Sequence, residues 1–270
     1  MLYHYTSLST AMKIVENGQL HATHISYLND TEEYAHCVRL VSRNSPEEYR
    51  QGIVGQLLRD VVRAPMFVAC LSRKEDDLNQ WRAYGGDYVG AAIGFDEGEL
   101  RKLGQSEPRF DVAHCLYDPD EQQQLIQPLV DSMHQFVKNL EPILPTAKDG
   151  GMSWTQRGKR MYMHVEHHVG WELTKLAPQI KAKAFKEEEE VRIVVSGPVQ
   201  MQGHQTDYRL GMGGASIVPF LRVSVAGAMR ELWIGPGPHP KHCEHGATTM
   251  VNIKRPGLSV RPSHVPFRNW

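Results

Sequence analysis

The sequence predicts an α+β fold. Apolar strands and amphipathic helices follow one another along the 270 residues without the regular strand–helix alternation of a doubly wound parallel sheet. Hydrophobic residues make up 41% of the chain and charged residues 23%, which is typical of a folded globular protein and excludes a disordered or fibrous one. We expect residues 1–270 to form a single domain, because the best linker candidate, Thr146–Met152, is short.

Strands and helices of the first 175 residues are predicted from apolar periodicity and from helix-capping residues. A strand over Leu2–Thr6 leads into a helix that Ser7 caps and Gly18 ends. The other predicted segments in this part are an extended stretch at His21–Leu28, helices at Thr31–Arg43 and 45–63, strands at Met66–Leu71 and Val89–Phe95, a short helix from Asp76-Asp77 that Gly85-Gly86 stops, an extended stretch at Phe110–Tyr117, a long helix from Asp118 to Leu140 that Pro128 should kink or split, and a helix at Trp154–Lys175.

The remainder of the chain is mainly strand-like. Short apolar runs of strand length are separated there by polar, glycine-rich and proline-rich stretches. The predicted segments are strands at Val191–Val195, Tyr208–Gly211, Ile217–Val225 and Leu232–Ile234, a helix at Cys243–Ile253 and a final strand at Leu258–Val260.

Charge and cysteine usage exclude several classes of protein. Thirty basic residues against 31 acidic ones give a net charge of -1, so no overall basic field attracts nucleic acid. No apolar run reaches the roughly 18–20 residues of a membrane helix, and the N-terminus lacks the pattern of a secretory signal. Four cysteines without CxxC spacing read as reduced thiols. We therefore expect a cytoplasmic protein that does not engage a membrane.

The N-terminal strand carries an unusual pair of polar residues. His4 and Thr6 point to one face of the predicted strand, while Tyr3 and Tyr5 point to the other. A polar face on a central strand indicates a cleft whose ligand offers hydroxyl groups. The alternative is a hydrogen-bonded core histidine beside a helix cap.

A second candidate segment follows the strand at Met66–Leu71. Ser72 ends that strand, and Trp81 and Tyr84 lie three residues apart on the next short helix. A hydroxyl at the floor of an aromatic pocket suits a planar ring. Packing of both aromatic residues in the core is the alternative.

The third candidate segment is a run of four glutamates that enters an apolar strand. In extended chain, Glu188, Glu190 and Arg192 would share one face. A carboxylate held by a neighbouring arginine stays ionised, can accept a hydrogen bond from a sugar hydroxyl and can stabilise an oxocarbenium-like cation. An exposed Glu190–Arg192 ion pair of little energetic weight is the alternative.

Histidines offer a rival, metal-binding interpretation. His239, His242, Cys243 and His245 crowd one proline-rich segment, and a second group is formed by His164, His167 and His168. Structural zinc sites usually take two pairs of ligands from separate segments, so the second pair would have to come from elsewhere in the fold.

Taken together, the three segments resemble ADP-ribosyltransferases. The N-terminal Tyr-His-x-Thr strand is similar to the Tyr-His-Gly-Thr strand of the diphtheria-toxin-like branch, with Tyr5 in place of the glycine that lets backbone approach the nicotinamide amide. More closely, the chain resembles an uncharacterised, mainly bacterial family of unknown function that is grouped with the ADP-ribosyltransferase-like folds. The segments that carry this resemblance are Leu2–Ser7, Ser26–Asp30, Cys70–Ser72 with Trp81 and Tyr84, Gly94–Asp96, Lys183–Phe185, Glu188–Arg192, Ile234–Pro236 and Ser263–Arg268.

The resemblance implies a split β-sheet core with helical insertions and NAD as co-substrate. It implies that Glu190 is the catalytic glutamate, that Glu188 orients the acceptor, and that His4 acts with them. The residues that it would assign to NAD binding are His4, Tyr5, Thr6, Ser72, Trp81, Tyr84 and Arg192. Of these, Trp81 or Tyr84 would stack on the nicotinamide, an assignment made on chemistry rather than motif. No metal is needed for this chemistry.

The resemblance also implies a biological setting. The acceptor would be a protein or nucleic acid, and the protein would act as a bacterial toxin or phage-defence effector with an antitoxin or regulatory partner. Two alternatives remain open. Water replacing the acceptor would make the protein an NAD glycohydrolase, and loss of activity would leave a nucleotide-binding or protein-binding module.

Overall fold

Ten strands form one mixed sheet in the part of the chain that the computed structural model describes, namely residues 1–28, 33–45, 66–86, 89–106, 109–140, 156–196, 206–211 and 214–266. The strand bounds are β1 Leu2–Ser7, β2 Gln19–His24, β3 Met66–Ser72, β4 Gly90–Phe95, β5 Asp111–His114, β6 Glu190–Ser196, β7 Asp207–Gly211, β8 Ser216–Ser224, β9 Met229–Ile234 and β10 Ser259–Pro262. β9 and β10 pair in parallel, and the other described pairs are antiparallel. The α+β class is thus confirmed as a large open mixed sheet with helices.

Helices flank this sheet. Their bounds are α1 Leu8–Asn17, α2 Glu33–Asn44, α3 Leu78–Tyr84, α4 Glu97–Gly104, α5 Pro119–Leu140, α6 Gln156–Leu176 and α7 Pro240–Lys254, with short 3₁₀ turns at Ile25–Tyr27, Ala177–Gln179, Lys183–Glu188 and Ala226–Ala228. None of the described helices combines the length and the apolar character that a membrane crossing requires.

The centre of the sheet is split at β3. β6 pairs with β3 along its whole length, from Met66 opposite Ser196 to Ser72 opposite Glu190. A strand has only two edges, so β1 and β2 share the other edge of β3. β1 pairs with β3 at Ser72, and β2 pairs with β3 at Phe67 and Val68. A gap therefore opens between β1 and β2 beside the middle of β3.

Two cores cover the opposite faces of the sheet. Phe67 and Ala69 of β3 pack into a core with α1, α4 and α7, whereas Met66 and Val68 pack into a second core with α2, α5 and α6. This division follows from the strand geometry, since successive side chains point to opposite faces. The split thus lies between two packed layers that fix its walls.

Several expectations for individual elements need correction. The stretch His21–Leu28 is extended only to His24 and then forms a 3₁₀ turn. α4 was not expected from the sequence, and α5 runs through Pro128 without being split into two helices. The helix expected at 45–63 and the linker Thr146–Met152 lie outside the described residues, apart from Ser45.

Gly18 provides a first testable prediction. It ends α1 with φ of 71°, a left-handed conformation, and a Cβ there would meet the Arg255 guanidinium and lie 2.8 Å from Ala226 Cβ. We expect Gly18→Ala to lower the free energy of unfolding by about 2 kcal/mol, from backbone strain and crowding. Urea unfolding measures the change. Gly246→Ala, in α7 with open space around it, is the matched control and should not destabilise. Equal effects of the two variants would contradict this account.

Candidate functional site

A cavity of about 1000 Å³ occupies the split between β1 and β2. α1 forms part of its wall, and the segment from Lys181 to Arg192 forms another part. The residues predicted from sequence that line it are His4, Tyr5, Thr6, Ser72, Tyr84, Glu188, Glu190 and Arg192. The fold therefore brings three distant segments of the sequence to one cavity.

Four charged side chains form a cluster on the cavity wall, called here the charge cluster: Lys181, Glu188, Glu190 and Arg192. Arg192 donates to both oxygens of Glu190, from Nε at 2.8 Å and from Nη2 at 3.0 Å. Lys181 Nζ donates to Oε2 of Glu190 and to Oε2 of Glu188. Two cations thus neutralise two carboxylates inside the protein, which is the condition under which buried charges are tolerated.

The local backbone explains how both carboxylates reach one lysine. Glu188 ends a 3₁₀ turn and Glu189 has φ of 43°, so the chain bends sharply before β6 begins at Glu190. The expectation that Glu188 and Glu190 share a face of extended chain is therefore wrong. They meet at Lys181 because of this bend. The Tyr117 hydroxyl, which accepts from Glu190 N at 2.8 Å, holds the first residue of the strand.

Neighbouring charges set the ionisation of the cluster. Burial alone would raise the pKa of Glu190, but Arg192 and Lys181 outweigh burial and lower that pKa to about 2. Burial favours a neutral Lys181, yet Glu190 and Glu188 raise its pKa above the usual range. Burial raises the pKa of the adjacent Cys70 well above its usual value, so this cysteine stays a thiol and is a poor nucleophile.

His4 occupies the split itself. Its Nδ1 lies 2.9 Å from the carbonyl oxygen of Cys70, which lies in the part of β3 between its pairings with β1 and β2. A carbonyl only accepts, so Nδ1 carries the proton. Burial lowers the pKa of His4, with the Cys70 carbonyl opposing the shift, and a neutral ring leaves Nε2 as an acceptor.

Ser72 and Tyr84 both contact Glu188. The Ser72 hydroxyl donates to the Glu188 carbonyl oxygen at 2.7 Å and accepts from Lys74 N at 3.1 Å. Ser72 thus fixes the turn that carries Glu188. The Tyr84 hydroxyl lies 3.5 Å from Glu188 Oε1, and burial, followed by Glu188, raises the pKa of Tyr84 to about 12. Tyr84 therefore stays protonated at neutral pH.

Trp81 and Tyr5, both predicted to bind the ligand, pack against each other inside the protein. Trp81 does not line the cavity, since it is buried against Tyr5 with ring centroids 4.7 Å apart and donates its indole N–H to Asp76 at 2.8 Å. The expectation that Trp81 stacks on a ligand is not supported by this placement. The Tyr5 hydroxyl donates to Lys74 O at 2.6 Å and accepts from Asp77 N at 3.2 Å. Its ring is thereby held against Trp81, although Tyr5 contributes to the cavity wall.

Basic side chains line the cavity away from the charge cluster. His21, Arg209 and Arg222 lie on one face of β2, β7 and β8, because His21 pairs with Arg222 and the strands alternate. Arg209 donates to Thr23 Oγ1 at 3.0 Å, and Arg222 pairs with Asp207 at 2.9 Å. Lys13 of α1 lines the same cavity. These groups suit an anionic part of a ligand.

Sequence comparison covers part of this site. Residues 80–193 match the model of a family described as "Protein of unknown function (DUF2971)". This segment is similar to that uncharacterised family. It includes Tyr84 and the whole charge cluster, whereas His4 and Ser72 lie before it. No curated protein and no solved structure shows a significant match to the chain.

Sequence reasoning missed Lys181 and the basic residues of the cavity. Lys181 follows Ile180 in a stretch without clear periodicity, so no local pattern marks it. One signal was accessible: two carboxylates placed near a single arginine need a second cation if they are to be buried together. Arg209 and Arg222 have the pattern of ordinary exposed strand residues, since only the pairing of β7 with β8, and of β8 with β2, brings them to the cavity.

The histidine-rich segments do not form a metal centre in the described residues. His164, His167 and His168 are exposed on α6, and His239, His242 and His245 are exposed at the start of α7. Among the residues that the structure describes, no group of three or more histidine, cysteine, aspartate or glutamate side chains is arranged to hold a metal ion. The metal-binding interpretation therefore has no geometric support.

Proposed function

We propose that the cavity binds NAD and that the protein transfers ADP-ribose from NAD to a macromolecular acceptor, a protein or a nucleic acid. One observation carries this proposal. A single cavity joins a neutral histidine, a tyrosine and two carboxylates paired with cations to a group of basic side chains on other strands. NAD has matching parts, namely a cationic nicotinamide ring on a ribose and an anionic diphosphate.

Carboxylates suit the bond-breaking step of this reaction. The bond between the ribose C1′ and the nicotinamide nitrogen breaks, and the nitrogen keeps the electron pair, so that neutral nicotinamide leaves. The ribose then carries a positive charge, which a nearby carboxylate stabilises. The same carboxylate accepts a hydrogen bond from a ribose hydroxyl, which holds it beside the charged carbon. An acceptor nucleophile bonds to C1′ and loses a proton.

The spacing of the basic residues supports an elongated ligand. β6, β3, β2 and β8 are successive neighbours in the sheet. Three intervals of about 4.8 Å make about 14 Å the least distance across the sheet between Arg222 on β8 and Glu190 on β6, because β2 has left β3 where His21 pairs with Arg222. Arginine suits phosphate because its planar guanidinium donates two parallel hydrogen bonds. Arg222, Arg209 and Lys13 would therefore hold the diphosphate while the ribose lies near the charge cluster.

A second candidate function is a nucleotide-binding module without turnover. Both oxygens of Glu190 accept hydrogen bonds from Arg192 or Lys181, so this carboxylate already has partners inside the protein. Hydrolysis by water, which would make the protein an NAD glycohydrolase, uses the same bond cleavage as transfer.

The setting of a cytoplasmic toxin or phage-defence effector with an antitoxin partner is proposed on the sequence resemblance.

Nicotinamide release from NAD by the purified protein is the deciding measurement, taken together with the melting temperature with and without NAD. We expect release by the wild type and at least about 10-fold slower release by His4→Asn. The asparagine amide can still donate to the Cys70 carbonyl, but the ring acceptor Nε2 is lost. His245→Asn, an exposed histidine of α7 outside the cavity, is the matched control.

Each outcome separates the candidates. Transfer of label from NAD to added protein or nucleic acid supports the transferase, and free ADP-ribose as the sole product supports the glycohydrolase. A rise in melting temperature without release supports the binding module. The absence of both nicotinamide release and a rise in melting temperature would exclude NAD as the ligand.

A further inference from the structure

We propose that Glu188, and not Glu190, is the carboxylate that contacts the reacting sugar, and that Lys181 is the residue that positions it. This gives Glu188 the sugar-contacting role that the sequence resemblance implies for Glu190. It rests on the proposed function, because Glu188 would accept a hydrogen bond from a ribose hydroxyl next to the carbon where the bond breaks.

Both oxygens of Glu190 already accept hydrogen bonds from buried side chains. Oε1 accepts from Arg192 Nε, and Oε2 accepts from both Arg192 Nη2 and Lys181 Nζ. Its backbone is fixed as well, since Glu190 N donates to the Tyr117 hydroxyl and Glu190 O accepts from Cys115 N at 3.0 Å. With only 5% of its side chain exposed, Glu190 serves as the buried counter-ion of Arg192 and Lys181.

Glu188 pairs with the same lysine as Glu190, but its side chain is more exposed. Its side chain is 25% exposed, and its Oε2 pairs with Lys181. Its Oε1 faces the Tyr84 hydroxyl at 3.5 Å, a long contact that a sugar hydroxyl can replace by a shorter one. Among the contacts that the structure describes, Oε1 of Glu188 is thus the carboxylate oxygen of the cluster that is best placed to accept from a ligand.

The protein holds this carboxylate in place through Lys181. Lys181 N donates to Leu116 O at 3.1 Å, and Lys181 O accepts from Gln122 Nε2 at 2.8 Å, so the backbone of the lysine is anchored on both sides. Ser72 anchors the turn that bears Glu188. Lys181 therefore fixes the position of the Glu188 carboxylate, as a positioning residue rather than one that touches substrate.

The test compares Glu188→Gln and Glu190→Gln for melting temperature and for nicotinamide release from NAD. We expect Glu188→Gln to stay within about 3 °C of the wild type and to lose about 100-fold or more in release. Glu190→Gln leaves an unbalanced buried cation and should melt about 10 °C lower. Glu187→Gln is the matched control. Its side chain is 82% exposed beside Lys74, and it should change neither quantity.

Further variants keep the outcome decisive. If Glu190→Gln does not fold, the double variant Glu190→Gln with Arg192→Met removes one charge of each sign and should fold and retain release above that of Glu188→Gln. Lys181→Arg should rescue release relative to Lys181→Met, and Lys181→Met should shift the pH profile of the reaction. Wild-type-like release by Glu188→Gln would overturn this inference alone. Absence of release by the wild type would instead overturn the proposed function together with this inference.

Discussion

Arg192→Met is expected to lower the free energy of unfolding by about 3–5 kcal/mol, the cost of removing one partner of a buried ion pair. Arg192 is 1% exposed, donates twice to Glu190 and donates to Pro178 O at 3.2 Å. Methionine fills a similar length but leaves two carboxylates facing only Lys181. The buried cluster would then carry a net negative charge, which the low-dielectric interior penalises.

A matched control is Arg222→Met, which breaks the ion pair with Asp207 at a side chain that is 55% exposed. We expect it to cost less than about 1 kcal/mol, because exposed pairs are screened by water. Adding Glu190→Gln to Arg192→Met should recover part of the loss, since the cluster is then balanced again by Lys181 and Glu188. Equal losses for the two arginine variants in urea unfolding would show that the charge cluster does not stabilise the fold.

Local elements of this protein were predictable because each depends on nearby residues. Ser7 accepts from Thr10 N and Gly18 has a positive φ, so α1 begins and ends where the sequence indicates. The strand arrangement was not predictable in the same way. That β1 and β2 share one edge of β3 depends on contacts between residues more than 40 positions apart in the chain. Local periodicity carries no information about such pairing.

The candidate site likewise has residues whose position the sequence predicts and residues whose position it does not. His4, Ser72 and Glu190 were identified because polar residues at strand positions conflict with an apolar sheet. The prediction for Glu188 assumed extended chain, whereas Glu189, a residue with a Cβ, takes the left-handed conformation that a sequence pattern does not reveal. The placement of Trp81 away from the cavity was not predictable, because a buried aromatic residue and a ligand-stacking one have the same helical spacing. Burial alone separates the two, and burial follows from tertiary packing.

Acid should destabilise the wild type more than Glu190→Gln. The pKa of Glu190 falls from 4.5 to about 2 because Arg192 and Lys181 outweigh burial. Below its usual pKa, the unfolded chain therefore binds a proton that the folded protein excludes. The stabilisation is complete above about pH 4.5 and is lost as the pH falls toward 2, for a total of about 3 kcal/mol. About 2 kcal/mol of this total should be lost between pH 5 and pH 3.

Urea unfolding at several pH values, compared between the wild type and Glu190→Gln, isolates this contribution. Other groups whose pKa is lowered are present in both proteins. Burial would raise the pKa of Glu97, but Arg101 and His114 lower it. Burial lowers the pKa of His4, so His4 lowers the free energy of unfolding below about pH 6.5. Their effects cancel in the difference between the two proteins. Parallel stability curves from pH 5 to pH 3 would mean that Glu190 is not held as an ion inside the fold, and the buried charge cluster would then lack its central carboxylate. We expect instead that the stability advantage of the wild type over Glu190→Gln shrinks as the pH falls, because only the wild type loses this ion pair there.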